Sequence, residues 1–163
     1  MGVEALSTCL WEERQALEDL AYQLETELLV VNAGRHQLLP RATADLEAAL
    51  GRLAACEADR SAATRTLTAE LGVAPDANLE VLAQALPEHA EALRSHRRRL
   101  RELVAQVDDL SRRARGLLAR HLAATTDALA VLGVTPDYRP VPAAGGAMAG
   151  TAAPAAVLFD ART

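Results

Sequence analysis

Residues 10–35 read LWEERQALEDLAYQLETELLVVNAGR. The stretch carries on a seven-residue rhythm of apolar side chains that starts at the N-terminus. Val3, Leu10, Leu17, Leu24 and Val31 keep the rhythm, with Leu6, Leu20, Ala21 and Leu28 between them. Apolar residues at this spacing share one face of an α-helix, and such a face packs along a seam against other helices. The spacing predicts one helix over about 3–33, stopped by Asn32-Ala33-Gly34. Glycine adopts the left-handed conformation that closes a helix. Trp11, Tyr22 and Leu29 stay off that seam. At about 100° per residue they fall within about 20° of one another, well over a quarter turn from the seam's centre. This second stripe has two readings. It is core if the helix packs on two neighbours. Otherwise it is a groove with aromatic anchors for a partner's helix.

Three further helical segments follow. One spans about 41–71, after Pro40, with apolar ends (Leu46, Leu50, Leu53; Leu67, Leu71) around the small, polar middle CEADRSAATRT. A helix with so weak a middle needs a neighbour to cover it. Gly72 ends it, and GVAPDAN has the composition of a turn. A short helix over about 78–86 starts at the N-cap candidate Asn78. Pro87 opens the last and longest, to about Leu132. There Leu93, Leu100, Leu103, Val107, Leu110 and Leu117 give way to a shifted rhythm of Leu118, Leu122, Thr125, Leu129 and Leu132. Such a stutter rotates the apolar face around the helix. Gly133 is the expected stop. The remainder is rich in Pro, Gly and Ala, which cannot bury enough surface to order itself. The expected fold is all-α: an antiparallel bundle of three long helices and one short helix over 1–133, then a disordered tail over 134–163.

Composition agrees with long helices and removes several chemistries. Half the 163 residues are hydrophobic, much of that alanine and leucine, and only Trp11, Tyr22, Tyr138 and Phe159 are aromatic. All 17 basic residues are arginine, so no phosphate-loop lysine, Schiff base or lysine general base is available. A net charge of −5 argues against attraction of the whole chain to nucleic acid or an anionic membrane. Cys9 and Cys56 make neither a metal spacing nor a disulfide framework, and two free thiols fit a reducing cytoplasm. No apolar run approaches the ~20 residues of a membrane span.

No site for catalysis is legible. His89 and His96 lie seven residues apart, about 10 Å along one helix, too far to share a metal unaided. GGAMAG in the tail has no strand-turn-helix context. His121 falls on the apolar side of its helix, where a histidine is usually packed. Residues 94–103, RSHRRRLREL, are the one basic run. They form either a docking patch for an acidic surface or nucleic acid, or a solvated face with local ion pairs. The pairs Glu91–Arg94 and Arg98–Glu102 have helical spacing, and the first helix is strongly acidic, so paired solvation is favoured.

The first stretch, with the Ala-Thr-x-x-Leu-Glu entry of the second helix, resembles FlgN-type flagellar export chaperones in their actinobacterial form. The likeness continues through AELGVAPDANLEVLAQALPE, SHRRRLRELVAQVDDL and RGLLARHL, and the tail end VLFDART is also similar. Two positions depart. Ala114-Arg115 stands where such proteins often carry Asn-Arg, and His89-Ala90 replaces an expected aromatic. The resemblance implies a cytoplasmic chaperone of the flagellar type III export system. It would bind a terminal helical segment of hook-associated filament-junction proteins and deliver them to the export gate, with no cofactor, ATP or metal of its own. A segment folding on binding needs an apolar, adaptable surface. Leu118, Leu122, Leu129 and Leu132 are the first choice, the stripe of Trp11, Tyr22 and Leu29 the second, and Tyr138 is the candidate for gate contact. The rival is a structural coiled-coil protein that self-associates, as a homodimer or larger. A nucleic-acid-binding regulator rests on the basic run alone.

Overall fold

A computed structural model describes residues 2–132. Every regular element among them is helical: α1 (Gly2–Asn32), α2 (Leu39–Leu71), α3 (Leu79–Ala85) and α4 (Ala90–Val131), with 3-10 turns at His36–Leu38 and Pro87–His89. The expected tail over 134–163, its Tyr138 and the Gly133 stop lie outside the described residues.

The stops act through the backbone. Gly34 and Gly72 both adopt positive φ, 65° and 66°. The N–H of Arg35 reaches the Val30 carbonyl, and that of Val73 the Thr68 carbonyl, both at 3.1 Å. These bonds satisfy carbonyls that a helix end leaves open. Asn78 caps α3 as expected, its Oδ1 accepting from the amides of Glu80 (2.9 Å) and Val81 (3.1 Å). The prolines shift two boundaries. Pro40 sits inside the first turn of α2, which starts at Leu39, where a missing N–H costs nothing. Pro87 opens a 3-10 turn, and α4 proper begins at Ala90.

The seam of α1 is the core. Leu6, Leu10, Leu17, Leu20, Leu24 and Val31 are buried, each at 6 % exposure or less. The five leucines share one core with Ala49, Leu53 and Leu67 of α2 and Leu93, Leu100, Leu103, Val107 and Leu110 of α4. Burying one such side chain contributes about 1.5–3 kcal/mol. Helix α1 is central: it packs along both α2 and α4, while α3 packs on α4. Cross-helix pairs give the directions. Glu13 pairs with Arg60, Asp19 with Arg52, and Glu27 accepts from Thr43, so α2 runs antiparallel to α1. Glu18 pairs with Arg99, and the ring of His36 meets that of His121, so α4 runs parallel to α1.

The helix lengths differ, with a consequence for exposure. Helix α4 has 42 residues against 31 in α1 and 33 in α2. Leu117 is the last buried residue of α4. Beyond it α1 has ended, and the turn at His36 supplies a last contact, ring against ring with His121 at 6.0 Å. Residues 118–131 therefore project from the bundle for about 20 Å.

Candidate functional site

The projecting half of α4 carries an apolar face without a partner among the described residues. Leu118 (39 %), Leu122 (67 %) and Leu132 (75 %) are exposed and Leu129 is half-buried. At about 100° per residue these four fall within about 80° of one another and prolong the line of Leu93 and Leu100 from the buried seam. The sequence supplies the same kind of face before and after residue 117, but the bundle supplies neighbours only before it. The threonines here turn inward on their own backbone: Thr125 donates to the His121 carbonyl and Thr126 to that of Leu122. They add little polarity to the face. His121 itself is exposed and not packed in an apolar environment as its helical position suggested, because the helices that would enclose it have already ended.

The second stripe is not core among the described residues. Trp11 is 53 % exposed, Tyr22 63 % and Leu29 68 %. It runs beside the edge of α1 that faces α4. Trp11 lines a shallow surface depression with Glu4, Ser7, Thr8 and His96. The two apolar surfaces thus sit on different helices, α1 and α4.

The polar middle of α2 covers what the seam hides. Glu13 and Glu27, which in sequence belong to an acidic face, occupy seam positions seven residues on from Leu6 and Leu20 and are buried. The Glu13 carboxylate lies 2.7 Å from the Arg60 guanidinium. Burial pushes Glu13 up to about 7, against the pull of Arg60 and with Glu57 adding to the rise. Burial likewise raises Glu57. The thiols of Cys9 and Cys56, beside this cluster, are pushed up by burial and by neighbouring carboxylates, which disfavours the thiolate a nucleophile needs. On the α4 side burial lowers His96, with Arg14 adding to it. A glutamate at a seam position was missed as buried because its type predicts a surface. The signal that could have found it was the small, polar stretch of α2 opposite, which has room for a charged pair.

The basic run is mostly paired. Arg94 and Arg97 reach Glu80, Arg98 reaches Glu91, and Arg99 bridges Glu18 and Glu102. The partners differ from the two local pairs expected, since α3 and α1 supply two of the four carboxylates. No helix among the described residues is long and apolar enough to cross a membrane.

A family model described as FlgN protein matches residues 1–137. No curated protein matches, and neither does any solved structure.

Proposed function

Because the chain belongs to the FlgN family, we propose that it is a cytoplasmic chaperone of the flagellar type III export system. It holds a terminal helical segment of hook-associated proteins before export and passes them to the export gate. One observation carries this reading. The apolar face of α4 continues past residue 117 with no helix among the described residues to cover it. A client segment that folds as an amphipathic helix would take the place that α1 holds lower down, with its apolar face on Leu118, Leu122, Leu129 and Leu132. Ordering a disordered segment costs part of the interaction energy, so the complex is releasable, as delivery requires. Trp11, Tyr22 and Leu29 are the second surface for the client, and Tyr138 the contact for the gate. No catalytic residue, cofactor or metal enters.

Calorimetric titration of the full chain with the terminal helical segments of hook-associated proteins from the same genome tests the reading. One-to-one binding at micromolar affinity or tighter is expected. Leu122→Glu should abolish it with helix content unchanged, since a carboxylate on the face must be desolvated without a partner. Retained affinity in that variant would move the client elsewhere. The same exposed face also favours a second reading, self-association of two copies through α4. A stable dimer by light scattering with no client binding would establish it in place of the first.

A further inference from the structure

A second polar surface lies at the other end of the molecule. The C-terminal half of α2, the turn before α3 and the N-terminal half of α4 enclose an open cleft of about 340 Å³. Its α2 wall carries Ser61, Thr64 and Arg65, its α4 wall Arg97 and Arg101, and the turn adds one carboxylate, Asp76, so the arginines of the lining outnumber the acid. Arg60 also lines it but reaches Glu13, and Arg97 is shared with Glu80 at 3.6 Å. Arg65 and Arg101 make no ion pair among the described residues, and Arg101 is the one arginine of the basic run left so. Thr64 is a second oddity. Thr8, Thr26, Thr66, Thr125 and Thr126 each donate to the carbonyl four residues back, Thr68 donates three back and Thr43 donates to Glu27. The Thr64 hydroxyl is buried in the cleft wall with no hydrogen-bond partner.

From this we infer that the cleft is a docking site for an extended, acidic peptide segment of another protein, one with carboxylates at alternate residues. The spacing favours a peptide. Arg97 and Arg101 are one helical turn apart, about 6 Å along α4. Alternate side chains of an extended strand stand about 6.6 Å apart on one side, so successive carboxylates meet successive guanidiniums, with Arg65 opposite. Guanidinium–carboxylate pairs are strong and directional. The cleft lacks the backbone cradle that suits a phosphate, because the Asn78 side chain already caps the amides at the start of α3. The chain as a whole is acidic, with a net charge of −5, so nonspecific attraction of an acidic segment is weak. The cleft lies about 30 Å along α4 from Leu122, and a segment bound here leaves the projecting face open.

The test is fluorescence anisotropy at low ionic strength, titrating a labelled Glu-Ala-Glu-Ala-Glu peptide with the full chain. Saturable binding is expected. The double variant R65Q/R101Q should weaken it by about tenfold or more, with an unchanged circular dichroism spectrum and melting curve. R112Q/R113Q loses the same charge from arginines paired only to Asp108 and Asp109 of their own helix, and should bind as the parent does. Absence of saturable binding overturns the proposal. So does an equal loss in both double variants, which would show unspecific attraction, or displacement of the peptide by equimolar inorganic phosphate, which would show a small-anion site.

Discussion

Glu13 has the most consequential placement of any single residue. Its side chain is about 1 % exposed against Arg60, and its folded pKa of about 7 lies above the ordinary 4.5. The folded state therefore keeps a proton that the unfolded state releases between these values. Linkage then requires stability to fall as pH rises from about 4.5 to 7, by at most about 1.4 kcal/mol per pH unit for one group. Glu57, raised in the same direction, adds to the slope. Urea unfolding across that window should show the parent losing stability with rising pH and Glu13→Gln showing a clearly flatter dependence, whatever its offset. An equal slope in the two would place the titration elsewhere. Trp11 gives the opposite kind of prediction. With half its surface in solvent, Trp11→Ala should cost about 1 kcal/mol or less in urea unfolding, where a core tryptophan costs about 3–5 kcal/mol. A core-sized loss would mean that a second copy buries it.

Among the elements, the helices and their ends were legible because they depend on local chemistry. The heptad of Val3, Leu10, Leu17, Leu24 and Val31 reports one face irrespective of what it packs on, and Gly34 and Gly72 report where the backbone must turn left-handed. What stayed hidden depends on neighbours. Glu13 and Glu27 looked like part of an acidic face because burial of a carboxylate is decided by the helix opposite. Two partners of the basic run, Glu18 and Glu80, come from α1 and α3, outside its own helix. The exposure of Leu118 and Leu122 follows from unequal helix lengths, 42 residues against 31 and 33. That inequality can be read from the stops, but only the packing shows which end overhangs. The stop at Gly72 is itself testable. A Cβ there would meet nothing within 4 Å, yet φ is +66°, so Gly72→Ala carries a purely conformational penalty. A loss of about 1 kcal/mol is expected in urea unfolding, with no change in client binding. A neutral substitution would show that the end of α2 relaxes.

At the scale of the molecule, the chain divides into a covered bundle and an uncovered arm of one continuous helix. Hydrogen exchange tells the two apart. Amides of α4 up to residue 117 lie on a helix whose apolar face is buried, and they should open only with the bundle as a whole. Residues 118–131 form about four turns with no covering layer among the described residues beyond the His36 ring, and isolated helices of this length are marginal in water. Their amides should therefore exchange orders of magnitude faster than those of Leu100 or Leu103 in the free protein. A client segment seated on Leu118, Leu122, Leu129 and Leu132 would couple the arm to a new interface, and protection should rise there while that of the bundle changes little. Binding at Trp11, Tyr22 and Leu29 would leave the arm fast. High protection of the arm in the free chain, growing with protein concentration, would mean that a second copy already covers it. One exchange profile, measured with and without the segment, thus separates the client groove on α4 from the stripe on α1 and from self-association, because each covers a different part of the molecule.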